Sequence, residues 1–326
     1  MMGEQLVLGL DLGGTNMVGA ALTTEGELVA KSKMTTEASG GLEHVLGRMA
    51  DCLEGVLEKS GRKREDVLAA GVGAPGPLNQ ETGVVYTPPN LPGWKDVPLA
   101  DELNKRLNIA VFIENDANCA AYGENWLGAG RDFKDLICLT LGTGVGGGII
   151  LNNELVRGVD GTAGEIGHLI IEMNGRRCNC GSYGCLEQYG SATGIVTTAR
   201  EIIEQGEKTV LTEMVSDLSK LTAKDVSVAM ERGDELARRV ITQTGEFLGV
   251  GIASLVNLLN PEVVVLCGGV IAAGEALFKP IRETVEKRAF PVPSKRARIV
   301  PSVLGDDAGV TGAAGVALSR AQRSSE

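Results

Sequence analysis

The chain runs one local plan twice. Residues Gln5 to Val29 read QLVLGLDL, then GGTN, then MVGAALTTEGELV: a strand, a glycine turn and a second strand, with Glu25-Gly26 as the hairpin turn beyond. Residues Leu136 to Val156 return to it as LICLTL, GTGVGG and GIILNNELV, with Asn152-Asn153 at the hairpin. The copies lie about 130 residues apart, a domain-sized interval rather than a solenoid period. Two halves of similar topology, facing one another, are the expected result. With 326 residues the chain is also longer than one hydrophobic core usually supports.

The segments between the hairpins complete an α/β pattern. Leu42, Val45, Leu46, Met49, Leu53, Val56 and Leu57 recur at helical spacing across Gly41 to Lys59. VLAAGVGAPGPL then reads as a strand closed by the GAPGP turn at Gly73 to Pro77, followed by a helix over Leu99 to Leu107 and a strand over Ile109 to Ile113. Glu114 to Gly128 reads as a turn entering a helix. The second half repeats the plan with helices from about 191 to 259, a buried strand in VVVLCGG at Val263 to Gly269, and a last helix, Ala308 to Arg320, whose Ala and Gly suit close packing at a domain junction. This predicts a small N-terminal domain over residues 1–118, completed by a C-terminal helix at 306–326, and a large domain over 119–305 that carries a metal loop at 168–187.

That loop reads EIGHLIIEMNGRRCNCGSYGCLE and spaces His168, Cys178, Cys180 and Cys185 as H-x9-C-x-C-x4-C. Three thiolates and an imidazole satisfy tetrahedral Zn2+, and a closed Cys3His set is the pattern of a structural site. Glu165 and Glu187 bracket the ligands, so ordering the loop would position both carboxylates. The alternative is a set of ordinary buried thiols, or a disulfide pair with a spare. Cys52, Cys119, Cys138 and Cys267 lie singly in apolar or helical stretches and read as core.

Composition narrows the function. A net charge of −11 opposes any broad contact with a nucleic-acid backbone. The short basic clusters, Arg62-Lys63-Arg64 and Lys295 to Arg298, read as solvated surface. Seven cysteines, an odd number, and no apolar segment behind a basic N-terminus argue against secretion and for a cytoplasmic protein. Apolar runs such as Leu248 to Leu259 are broken by Gly, Ser and Asn, so no membrane span is expected.

Both glycine turns, DLGGTN at Asp11 to Asn16 and LGTGVGGG at Leu141 to Gly148, follow strands and offer backbone N–H groups and a threonine hydroxyl to phosphate oxygens. Neither fits the P-loop or dinucleotide patterns. Gly13, Gly14, Thr15 and Asn16 on one turn, and Thr143 with Gly144 on the other, would cradle phosphates. Asp11 would hold Mg2+ through water; the alternative is a strand-end carboxylate that accepts turn N–H groups. Phosphoryl transfer also needs an oriented nucleophile and a base. Asp116, just beyond the strand AVFI, is placed where an α/β sheet presents reactive groups. Asn115 or Asp116 would serve equally well as a helix N-cap.

Together, DLGGTN, GAPGP, PNLPGW at Pro89 to Trp94, ENDAN at Glu114 to Asn118, LGTGVGGG, GEIGH at Gly164 to His168, CNCGSYGCLE at Cys178 to Glu187 and LCGGV at Leu266 to Val270 resemble the ROK family of sugar kinases and sugar-responsive repressors, most closely its bacterial ATP-dependent glucokinases. The resemblance implies an actin-like, RNase-H-like duplicated two-domain fold with sugar and ATP in the interdomain cleft. It implies that Asp116 is the catalytic base for the sugar 6-hydroxyl. Asn90, Asn115, Glu165, His168 and Glu187 would bind sugar hydroxyls, and Gly268 and Gly269 would pass close to the adenosine. Glucose is the implied substrate, with N-acetylmannosamine, N-acetylglucosamine, fructose and allose as alternatives, and ATP rather than polyphosphate is the implied donor. A homodimer or homotetramer is implied. Repressors of the family carry a helix-turn-helix ahead of the first glycine turn, for which Asp11 leaves no room, so a sensor of this type is not expected. An actin-like switching ATPase is a further rival, opposed by the sugar-binding residues.

Overall fold

The computed structural model describes residues 5–88 and 90–323; Pro89 of PNLPGW lies outside the described residues. The fold is α/β with two five-stranded sheets. In the first, β1 (Leu6–Leu12), β2 (Asn16–Thr23) and β3 (Leu28–Thr35) form an antiparallel meander, and β4 (Val67–Ala74) and β7 (Val111–Asn115) add in parallel beyond β1. The strand order is β3-β2-β1-β4-β7. A small hairpin, β5 (Leu78–Asn79) with β6 (Val84–Val85), follows the GAPGP turn.

The second sheet has the order β10-β9-β8-β11-β12, built from β8 (Leu136–Leu141), β9 (Val145–Leu151), β10 (Glu154–Leu155), β11 (Val263–Cys267) and β12 (Arg298–Pro301). Here too the hairpin strands lie on one side, and β11 pairs in parallel with both β8 and β12. Asn152 and Asn153 make the expected tight hairpin, both with positive φ (53° and 64°), a conformation that asparagine tolerates better than most residues.

Strand alternation sorts the residues of β1. Leu6, Leu8 and Leu10 face one core with α1 (Leu42–Ser60) and α2 (Leu99–Leu107), packing against Leu46, Leu53 and Leu103. Val7 faces the opposite core, which is closed by α11 (Ala308–Arg323) through Val310, Ala314 and Leu318. By the same alternation Asp11 lies on the α11 side of the sheet.

Two compact units result: residues 1–134 with 148–164 and 302–326, and residues 135–147 with 165–301. A boundary at residue 119 falls inside α3 (Asp116–Trp126), and the structure keeps α3 whole in the first unit. Packing explains this. A Cβ at Gly312 of α11 would run into the carbonyl oxygen of Cys119, and one at Gly123 of α3 would run into that of Ala308. The small residues of α11 therefore serve contacts within the first unit, against α3, β1 and β4, rather than at a domain junction.

Glu124 of α3 reinforces the arrangement. Its fully buried carboxylate accepts from Ala129 N at 2.8 Å, Leu304 N at 3.0 Å and the Ser302 hydroxyl, pinning the segment that leads into α11. The expected strand at Ile109 to Ile113 begins two residues later, at Val111, because Asn108 turns left-handed (φ 51°) to end α2.

The second unit adds α4 (Glu187–Gly190), α5 (Ala192–Glu204), α6 (Leu211–Met214), α7 (Ala223–Glu231), the 25-residue α8 (Glu235–Leu259), α9 (Glu275–Arg288) and α10 (Pro291–Arg296). Gly245 and Gly249 let α8 approach the backbone of α9 closely. Among the described residues no helix is long and apolar enough to cross a membrane.

Candidate functional site

In the first unit Asp11 ends β1 against the first turn of α11. A Cβ on Gly309 would lie 2.8 Å from its Oδ2. The helix N-terminus favours a negative charge there, yet burial dominates. It pushes the Asp11 carboxyl from an ordinary 3.8 up to about 6, and the charge of Asp116 adds to the effect. Asp11 is therefore costly to ionise in the absence of a cation.

The turn that follows is held on both sides. Gly13 N donates to Asn16 O at 3.0 Å, and Thr36 donates its hydroxyl to Gly13 O at 2.6 Å and its N–H to Thr15 O at 2.8 Å. Asn16 opens β2, and Thr15 and Asn16 are exposed. Asn90, also exposed, sits against the turn, since a Cβ on Gly14 would lie 3.1 Å from its Cβ.

Either Asn115 or Asp116 suits the cap of α3 by sequence, and the structure gives it to one of them. Asn115 is the N-cap of α3: its Oδ1 accepts from Ala117 N at 3.0 Å and Asn118 N at 3.2 Å. The cap uses the oxygen and leaves the amide nitrogen facing the GAPGP turn, where a Cβ on Gly76 would lie 3.2 Å from Nδ2. Asp116 opens the helix and accepts from Ala117 N at 2.8 Å. Cys119 one turn later is surrounded by charge; its thiol is raised well above the usual range by burial first, then by Glu114, Asp11 and Asp116, with Arg157 opposing.

The Asp11 shift has a measurable consequence. With the folded pKa raised, its contribution favours folding below the unfolded value of 3.8 and is lost as pH rises through about 6. Asp11→Asn should then stabilise the magnesium-free protein at pH 7 to 8 by up to about 3 kcal/mol, with the gain fading below pH ~4. Urea titrations of both proteins across that range provide the test. A gain independent of pH would refute the assignment.

In the second unit the turn at Gly142 to Gly144 is tied to the start of α5. Ala192 N donates to Gly142 O at 2.8 Å and the Thr193 hydroxyl to Thr143 O at 2.8 Å. Ser191 caps α5 by accepting from Gly194 N at 3.0 Å, so backbone N–H groups and a helix N-terminus lie beside the turn, a setting suited to phosphate. Glu187 sits in the turn itself. Its Oε2 accepts from Val145 N at 3.0 Å and occupies the space that a side chain at residue 144 would take, so a larger residue there would displace the carboxylate. Gly268 follows β11 with φ 90° over the carbonyl of Leu141, and Gly269 continues the chain with open space where its side chain would be.

The four expected metal ligands come together. One donor atom from each of His168, Cys178, Cys180 and Cys185 lies within 4.8 Å of the other three. Cys178 Sγ is 3.7 Å from His168 Nδ1, and Cys180 Sγ is 3.7 Å from Cys185 Sγ. A tetrahedral zinc with ordinary bond lengths separates its ligand atoms by roughly 3.5–3.8 Å, so the set fits. All seven cysteines are free thiols, which sets aside the disulfide alternative. Burial first, then the neighbouring thiols, pushes Cys185 up to about 12, a group that a divalent cation would deprotonate.

With Nδ1 toward the cysteines, His168 Nε2 lies 3.9 Å from Glu165 Oε2. Glu187 Oε1 lies 4.0 Å from Cys178 Sγ, and Gln188 Nε2 donates to that sulfur at 3.6 Å. Arg176 fastens the loop to α4: it donates to Gln188 O at 2.7 Å and stacks over Tyr189 with its guanidinium carbon 4.6 Å from the ring centre. The metal loop, the glycine turn and the Glu165, His168 and Glu187 side chains are thus one connected cluster.

Sequence reasoning passed over Glu114, Arg157, Gln80 and Thr36. Their partners lie far along the chain, and Glu114, inside ENDAN, carried the one signal: an acidic residue on a buried strand.

A family model described as "ROK family" matches residues 7–320. The chain is 42% identical to a glucokinase from Halalkalibacterium halodurans over 312 residues, 95% of this chain and 94% of that one. It is 32% identical to a xylose repressor from Caldicellulosiruptor bescii over 315 residues, 96% of this chain and 78% of the repressor. Among solved structures it is similar to a ROK family glucokinase from Streptomyces griseus in complex with glucose and AMPPNP, with a TM-score of 0.82, 34% identity, and coverage of 96% and 99% of the two chains.

Proposed function

The chain belongs to the ROK family, and on that premise we propose that it transfers the γ-phosphoryl group of Mg-ATP to the 6-hydroxyl of a hexose, glucose being the leading substrate. The observation that carries this reading is the pairing of Asp11 with Asp116, two carboxylates close enough for one to raise the pKa of the other. Such a pair suits a cation anchor beside a base. Asp116 takes the proton of the attacking hydroxyl, and Asn115, its oxygen committed to the helix cap, offers N–H donors to the sugar. Asn90, Glu165, His168 and Glu187 bind further hydroxyls. Gly13, Gly14, Thr15 and Asn16 on one turn, and Thr143 and Gly144 on the other, hold phosphate oxygens, and Gly268 and Gly269 pass the adenosine.

Asp11 would hold Mg2+ through water, and the ion would supply charge neutralisation on the phosphates. His168, Cys178, Cys180 and Cys185 would hold Zn2+ in a structural role, a reading that the closed ligand set supports. The matching strand orders of the two sheets support a duplicated actin-like, RNase-H-like architecture.

The test is ADP release from Mg-ATP across glucose, mannose, fructose, allose, N-acetylglucosamine and N-acetylmannosamine. Glucose is expected to give the highest kcat/KM. A better acetamido sugar would change the substrate and keep the mechanism. The similarity to a xylose repressor supports a second reading, a sugar-binding regulator. Saturable sugar binding with no sugar-dependent ADP release would favour it and reject the kinase.

A further inference from the structure

Glu114 is almost completely buried, at 1% exposure, and its carboxylate is unusually well held for a residue at the end of a strand. Oε1 accepts from Asn115 N at 2.9 Å, Asn118 Nδ2 at 3.0 Å and Gln80 Nε2 at 3.2 Å. Oε2 accepts from Arg157 Nε at 2.7 Å. Burying an ion pair is not an efficient way to stabilise a fold, because apolar residues of similar volume generally do as well. Nor does the helix need Glu114 for its cap, which Asn115 supplies.

The bonds converge on the junction where strand becomes helix. One holds the backbone N–H of Asn115, and another holds the amide of Asn118 in the first turn of α3. Asn118 Oδ1 is buried and finds no partner among the described residues, so the bond to Glu114 sets the orientation of that amide. The segment after β10 is bound into the same cluster. Gln80 Nε2 also donates to Gly161 O at 3.0 Å, and Gly161, at φ 76°, has no room for a side chain beside Gln80.

We infer that Glu114 and Arg157 are positioning residues for the sugar-binding and proton-accepting pair Asn115 and Asp116: the ion pair between the buried Glu114 and the half-buried Arg157 fixes the direction in which both side chains leave the β7–α3 junction. The inference rests on the proposed role of Asn115 and Asp116. Its reach is specific, since the phosphate-holding turns are bonded through other residues, Thr36 in one case and Ala192 with Thr193 in the other. Loosening the pair should disturb the sugar and leave the nucleotide alone.

The experiment compares Arg157→Ala, Arg157→Lys, Glu114→Gln and the Arg157→Ala/Glu114→Gln double variant. Sugar Kd is measured by calorimetry without ATP, along with kcat, the KM values of both substrates, and Tm. Arg157→Ala and Glu114→Gln are each expected to raise sugar Kd and KM by about tenfold and to lower kcat by a similar factor, the scale expected for a displaced reacting group, with ATP KM within about twofold. Arg157→Lys should recover part of the loss, and the double variant should be no worse than the worse single, because the two residues act as one unit.

A merely structural pair would lower Tm and the active fraction, leaving sugar Kd and KM at wild-type values. That result would overturn the inference. If Arg157→Ala does not fold, Arg157→Lys and Glu114→Gln decide by the same readouts. Wild-type protein that binds sugar without turning it over would reject the kinase reading, and the Kd comparison would still decide the role of the pair.

Discussion

Asp116→Asn is expected to lower kcat by roughly 10²- to 10⁴-fold, the usual worth of a positioned base, while sugar Kd changes little. The substitution is isosteric and keeps an oxygen to accept from Ala117 N, as Asp116 does at 2.8 Å. The cap of α3 is untouched because Asn115 provides it. What disappears is the ability to take a proton, together with one negative charge beside Asp11. Since Asp116 contributes to the raised pKa of Asp11, the variant should also ionise Asp11 more readily and bind Mg-ATP at least as well. A loose transition state draws more on orientation than on proton removal, which favours the lower end of the range. Calorimetry for sugar and ATP, with coupled ADP detection for kcat, separates binding from chemistry. A variant turning over at near wild-type kcat would remove Asp116 from the role of base.

What could be read from the sequence was local. The two hairpins were legible because a glycine turn and an Asn-Asn turn each fix chain reversal within a few residues, and α1 because its apolar stripe repeats at helical spacing. The metal cluster was legible from spacing, since two of its gaps are one and four residues long. Long-range partners left no such trace. Arg157 meets Glu114 across 43 residues and Ser302 meets Glu124 across 178. Nothing in the local pattern around either carboxylate names its partner.

The boundary at residue 119 cuts α3 for the same reason. Gly312 looked like generic close packing, and only the carbonyl of Cys119 facing it shows which helix it serves. Cys138 and Cys267, read correctly as core, turn out to touch at 3.3 Å across neighbouring strands, a contact fixed by the register of β8 and β11. Asn115 is the instructive case at the site. Sequence left the cap of α3 open between Asn115 and Asp116, whereas the geometry gives it to the oxygen of Asn115 and turns the amide nitrogen toward Gly76.

Metal removal is the second large effect expected. Glu187 is held between two supports, the glycine turn at Val145 N and the ligand cluster near Cys178, while His168 turns one nitrogen to the cysteines and the other toward Glu165. Stripping zinc would let buried thiols reprotonate, Cys185 most readily, since its pKa lies near 12 without a cation. The loop would then lose the bonds that orient His168, Glu165 and one side of Glu187. Outer contacts of metal sites commonly carry 10- to 100-fold effects, so sugar KM should rise by at least about tenfold in the chelated protein and in Cys178→Ser. ATP KM should move far less, because the Thr143 turn keeps its own bonds to Ala192 and Thr193. Rebinding zinc at neutral pH should release protons and restore sugar KM. A metal-free protein, verified by elemental analysis, that kept its sugar KM would show that the loop holds its shape without the ion and that the carboxylates owe nothing to it.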